Sequence, residues 1–206
     1  MKVRRAGDTA LLVETADLAT AHRLHAAIRA AAPRGVIDVV PGERTVLVVA
    51  DARQCDLGRL AAWLPTLPLP ERPDDGMAPV EIPVVYDGED LDEVAGLTGL
   101  SRTEVVQRHT AASYTVAYLG FSPGFGYLTG LDPALHVSRR ESPRTAVPAG
   151  SVAIAGPYAA VYPSRSPGGW RLLGRSRLPL WDVTRDPPSL LQPGAHVRFV
   201  ADEEAR

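Results

Sequence analysis

The sequence predicts two architectures in succession, an α+β domain over residues 1–68 and a mainly-β sandwich or barrel domain over residues 79–206. Three observations carry this reading. The first third alternates β-prone runs with stretches of helical period, a pattern in which helices cover one face of a sheet. A proline-rich segment with Pro65, Pro68, Pro70, Pro73 and Pro79 then interrupts both kinds of element. Beyond Tyr114 the texture changes to short apolar runs separated by Gly and Pro, the mark of many short strands and frequent turns.

Taken in order, Val3 to Arg5 and Ala10 to Glu14 are strands around an Ala6-Gly7-Asp8 turn. Leu18 to Ala32 is a helix that Asp17 caps and that Pro33 and Gly35 end. Val36 to Val40 and Thr45 to Ala50 form a hairpin across Pro41 to Arg44, and Cys55 to Leu64 a second helix. Residues 69–78 are read as the linker, the alternative being a long surface loop within one domain. Val80 to Tyr86 is a strand, and Leu91 to Ala95 and Ser101 to Thr110 are short helices. Ser101 with Glu104 forms a capping box at the start of the second. Strands follow at Tyr114 to Leu119, Val152 to Ala155, Ala159 to Tyr162, Trp170 to Leu173 and Val197 to Val200, whereas Pro123 to Gly130 reads as a loop.

Composition excludes several functions. Hydrophobic residues make up 45% and charged residues 22%, and the net charge is −2, so neither a nucleic-acid nor a membrane surface is the expected partner. The expected location is the cytoplasm: no apolar run reaches the ~20 residues of a bilayer span, and Asp8 breaks any signal-like start. Cys55 is the only cysteine, which leaves no intrachain disulfide or cysteine-rich metal site; it is read as a buried, inert thiol. Lys2 is the only lysine, which removes Walker A, Ser-x-x-Lys and Schiff-base chemistry together.

Charge is unevenly spread. Glu71 to Glu104 holds ten acids against two arginines, and Phe121 to Leu180 seven arginines against two acids. Arg139, Arg140 and Arg144 are therefore open to two readings: a grip on a planar anion, or pairing with the acidic stretch. Gly120 to Gly124 matches G-x-S-x-G, yet a nucleophile elbow takes an oxyanion-hole N–H from the residue after the serine, and Pro123 has none. His109 ends a helix, where it either serves the site or meets the last carbonyls and the helix dipole. His22 and His25 sit three apart on a helix without a third ligand of the usual spacing.

The aromatic, Gly- and Pro-rich run from Ala117 to Ser176 has the composition of a recognition cleft, with Gly124 and Gly126 permitting tight turns. Its segments GFSPGFGYLTGLDP, PRTAVPAGSVAIAG and VYPSRSPGGWRLLGRS, with GDTALLVE, VVPGERTVLV, IPVVYDG, EVVQRH and LQPGAHVRF elsewhere, resemble the family called allophanate hydrolase subunit 1, 5-oxoprolinase B subunit or histidine-kinase-A inhibitor. The resemblance runs over nearly the whole chain. It implies that the second domain is a cyclophilin-like β-barrel. It also implies the smaller subunit of a hydrolase that opens 5-oxoproline to glutamate with ATP. The implied partners are a homologous second subunit (subunit 2, or the C subunit) and a larger A subunit. Related domains occur fused in biotin-dependent urea carboxylases. The inhibitor name implies the alternative, a protein that binds a sensor histidine kinase. The expected catalytic residues are His109, Arg139 and Arg144. Phe121, Gly124, Phe125, Tyr127, Arg140, Ser151, Tyr162, Gly168, Gly169 and Trp170 are expected to bind a small anionic amide substrate or the partner, with ATP used by the assembly and no metal.

Overall fold

The computed structural model describes residues 1–71 and 78–202, arranged as two compact units divided after Gly76. Four of the ten expected linker positions, 69–71 and 78, are described; 72–77 lie outside the described residues.

The first unit is a four-stranded antiparallel sheet in the order β1-β2-β4-β3, built from β1 (Lys2–Arg5), β2 (Ala10–Glu14), β3 (Val36–Pro41) and β4 (Thr45–Ala50). Helices α1 (Leu18–Ala31) and α2 (Leu57–Trp63) complete it, and Leu11, Val13, Leu24, Ile28, Val46, Val48 and Leu60 pack together as its core. Asp17 caps α1 by accepting the Thr20 N–H at 2.8 Å. The second helix starts two residues later than the sequence suggests. Asp56 accepts the N–H groups of Gly58 and Arg59 and so fixes the boundary, leaving the half-buried Cys55 outside the helix.

The second unit is mainly β. Its strands are β5 (Val80–Val84), β6 (Tyr114–Leu119), β7 (Gly126–Thr129), β8 (Arg144–Val147), β9 (Ser151–Ala155), β10 (Tyr158–Val161), β11 (Ser166–Gly168), β12 (Arg171–Arg175) and β13 (His196–Ala201). Helices α3 (Leu91–Thr98) and α4 (Arg102–Ala111) lie between β5 and β6. At α4 both arms of the Ser101–Glu104 capping box are formed. Seven strands form one sheet in the order β12-β9-β10-β7-β6-β13-β5, and β8 pairs with β11 in a separate ribbon. In place of the expected loop, β7 forms between β6 and β10, with Gly126 paired to Leu119 and Leu128 set between Val116 and the distant Ala159. Among the described residues no helix is long and apolar enough to cross a membrane.

The sheet curls until its two edges nearly meet. Val85, just past β5, exchanges two 2.9 Å backbone hydrogen bonds with Arg175 on β12, and the Gly88 and Asp90 N–H groups continue the seam to the carbonyls of Leu173 and Leu172. Backbone approaches backbone so closely that a Cβ on Gly174 would overlap the Val85 carbonyl oxygen, and one on Gly88 the Leu172 carbonyl.

Both faces of β9 and β10 and most of β12 are buried, so the alternation of apolar and polar residues is lost in Val152 to Ala155 and Ala159 to Val161. The pleat still sorts them. Val152, Ile154, Ala159, Val161 and Leu173 point into the barrel core, and Ala153, Ala155, Ala160, Tyr162 and Leu172 join an outer cluster with Phe125 and Trp170.

Replacing Gly174 by Ala is expected to lower stability by about 3 kcal/mol, since the seam must open to admit the methyl. The reference variant Gly96→Ala, in α3 with open space around its Cβ direction, is expected to raise stability by about 0.5–1 kcal/mol. Urea denaturation of both variants measures the contrast.

Candidate functional site

A cleft of about 240 Å³ opens on the outer face of the second unit. Its walls are Phe121, Phe125, Tyr127, Tyr162 and Trp170, with Arg139, Pro143, Pro167, Gly168 and Gly169 around them. The rings meet edge to face: Phe125 lies 5.3 Å from Tyr162, 5.6 Å from Trp170 and 5.2 Å from Tyr127, centroid to centroid. Each such pair adds roughly 0.5–1.5 kcal/mol to simple burial and fixes ring orientation. The alanines of β9 and β10 leave the height for this aromatic layer.

The hairpin between β6 and β7 supplies one wall. The Ser122 N–H donates to the Gly120 carbonyl at 2.7 Å, a three-residue turn with Phe121 at its centre. Phe121 has φ +64°, the left-handed region that costs an L-residue roughly 1–2 kcal/mol, and its ring is 61% exposed above the cleft. Gly124, also left-handed at φ +79°, packs against Trp181 and Pro163 and shapes the turn from behind, without lining the cleft. Ser122 thus sits in a strand-to-strand turn, with its carbonyl accepting the Phe125 N–H at 3.0 Å.

The opposite wall is the β8–β11 ribbon. Gly168 lies on the Tyr162 phenol, whose oxygen a Cβ at that position would overlap. Burial pushes the Tyr162 phenol pKa up, and the Trp170 backbone N–H bonded to it works the other way. Ser151 is buried on β9 outside the cleft; its carbonyl accepts the Tyr162 N–H at 2.9 Å and so positions that ring.

The arginines divide into two groups. Arg140 and Arg144 each place a guanidinium nitrogen 2.7 Å from one oxygen of Asp90, whose other oxygen accepts the Leu172 N–H at 2.7 Å. Arg171 pairs with Glu93, and Arg144 also reaches Glu89 at 3.2 Å. Of the two readings open for the arginine cluster, pairing with the acidic stretch holds for Arg140 and Arg144, whose charges are compensated inside the protein. Arg139 differs. Its guanidinium lies 5.8 Å from the Trp170 ring centroid, on the cleft, and among the described residues it has no acidic partner.

Asp90, 2% exposed, carries no local signal in the sequence, where only the facing acidic and basic stretches hint at it. Desolvation by burial raises its pKa, but the Arg144 hydrogen bond, the Leu172 N–H and the charges of Arg144 and Arg140 outweigh it, and the net shift is downward. Pro143 and Pro167 are further cleft residues that composition alone does not mark.

His109 lies apart from the cleft. It is fully buried in the barrel core among Tyr86, Tyr114 and Phe199, with Nδ1 2.7 Å from the Tyr86 hydroxyl and Nε2 without a hydrogen-bond partner. Burial pushes its pKa down to about 3, so it is a neutral core residue. The Tyr114 hydroxyl accounts for the helix end by donating to the His109 carbonyl at 2.9 Å.

The family described as carboxyltransferase domain, subdomain C and D, matches residues 1–191. The 5-oxoprolinase B subunit of Escherichia coli O157:H7 is 41% identical over 209 residues, an alignment covering 96% of this chain and 94% of that one. The chain belongs to the family of 5-oxoprolinase B subunits. The Bacillus subtilis protein of the same name is 48% identical over 128 residues, 61% of this chain and 53% of the relative. The crystal structure of TTHA0988 superimposes with a TM-score of 0.86 at 40% identity, covering 98% of this chain and 41% of the larger one.

Two outcomes follow from the buried groups. Asp90→Asn leaves Arg140 and Arg144 unpaired and is expected to cost about 3 kcal/mol at neutral pH. Because the folded-state pKa of Asp90 is depressed, its contribution is present above the unfolded value near 3.8 and is lost as pH falls through the lower folded value. The deficit of the variant should therefore shrink in acid, as denaturation at pH 7 and near pH 3 would show. His109 is also depressed: below about pH 6.5 the unfolded chain takes up a proton that the folded chain refuses until about pH 3. Stability of the wild type relative to His109→Phe should fall by about 1.4 kcal/mol per pH unit across that window.

Proposed function

We propose that this chain is the smaller, binding subunit of a cytoplasmic ATP-dependent hydrolase that opens 5-oxoproline to glutamate. The near full-length identity to the Escherichia coli relative carries the reading. In it, the two units are separate domains, residues 1–68 and 79–206, and the second is a cyclophilin-like barrel. A homologous second subunit, of the C type, and a larger one, of the A type, complete the assembly, which consumes the ATP.

The chemistry of the cleft supports a binding role. Among the described residues its walls hold no carboxylate, imidazole, serine or cysteine, and burial raises the pKa of the Tyr162 phenol, which disfavours the phenolate that a nucleophile or base would need. What they offer is aromatic surface and one cation, which orient a ligand and exclude water from it. In this reading the chain is inactive alone, and the cleft completes a site whose reacting groups come from a partner.

Co-expression with its two partner subunits is expected to yield ATP hydrolysis dependent on 5-oxoproline, with phosphate and glutamate released together. Each preparation lacking one chain should be inactive. Unchanged turnover without this subunit would overturn the proposal.

A further inference from the structure

We infer that Arg139 sets the specificity of the cleft by reading the carboxylate of a small cyclic ligand whose ring lies on the aromatic wall. The identity of that ring, a five-membered cyclic amide, rests on the function proposed above; the carboxylate and the size limit rest on the cleft itself.

Charge is the first support. Arg140, Arg144 and Arg171 lie in the same part of the fold, and each is neutralised by Asp90, Glu89 or Glu93. Among the described residues, Arg139 alone of these four has no acidic partner, and no acid lines the cleft beside it. Its contact with Trp170 is an attraction between a cation and a ring face, which holds the guanidinium without using its N–H donors. A planar fork of donors positioned over an aromatic wall matches a carboxylate bidentately.

Size and shape are the second. At about 240 Å³ the cleft falls below the ~300–1,000 Å³ typical of drug-sized ligands. The ribbon and the strained Phe121 turn hold the walls, and Gly168 leaves no room for a side chain beside Tyr162. A flat ring of five or six atoms suits that space, enclosed by aromatic rings set nearly perpendicular to one another, with its carboxylate toward Arg139.

The test titrates the full chain with 5-oxoproline, with cyclopentanecarboxylate, which keeps ring and carboxylate, and with 2-pyrrolidinone, which keeps ring and amide. Calorimetry gives affinity, and the Trp170 indole N–H resonance reports the site. Both carboxylates are expected to shift that resonance and to bind about tenfold or more tightly than 2-pyrrolidinone. Arg139→Gln should abolish the preference, and Arg139→Lys should keep part of it. Equal binding of all three, a preference surviving Arg139→Gln, or no carboxylate response would each overturn the inference. So would saturation of the resonance by an uncharged proline-containing peptide alone. The titrations need no turnover, so the two ideas fail separately. Carboxylate binding at Arg139 beside an inactive complete assembly keeps this inference and removes the function. An active assembly whose KM ignores Arg139→Gln does the reverse.

Discussion

The carboxylate of Asp90 ties together the parts of the barrel unit that define the cleft. The residue precedes helix α3 at its N-cap, where an aspartate would ordinarily cap the first turn. Here its side chain turns across the seam to the Leu172 N–H, while its own N–H bonds the Leu172 carbonyl. The second oxygen collects Arg140 and Arg144. Asp92 and Glu93 remain in the first turn of α3, where their negative charge suits the helix dipole. One buried anion thus ties the sheet edge at Leu172 to the start of α3 and anchors the segment bearing Arg139 and Pro143.

Such an anion is stable only with its partners complete, because an isolated buried charge costs more than any one of these contacts returns. That requirement joins the stability of the unit to the layout of the cleft. The same two guanidinium groups that neutralise Asp90 follow Arg139 closely in sequence, and their engagement leaves that third cation as the one presented outward.

Local signals were legible in the sequence and non-local ones were not. The capping box at Ser101 and Glu104 is a contact three residues apart, and Asp17 caps its helix through Thr20. Asp90 pairs with residues 50, 54 and 82 positions away, so its role could be sensed only as two facing blocks of opposite charge. Strand β7 was hidden for a related reason: glycines and a proline dominate its surroundings, and only pairing with β6 and β10 makes it a strand. Eight of the thirteen site positions expected from the sequence meet in the cleft, all within the aromatic, Gly- and Arg-bearing run. His109 carried the right chemistry for a site, but its burial beneath Phe199 depends on the last strand of the barrel.

The alanines beneath the aromatic layer set how deep the cleft is. Ala153, Ala155 and Ala160 form the floor on which Phe125, Tyr162 and Trp170 rest, without lining the cavity themselves. Enlarging one of them to valine would push two added methyl groups under the rings and make the pocket shallower, with every lining residue unchanged. The depth of the cleft is thus set from positions that do not line it. In this barrel, the floor shapes the pocket as much as its walls do.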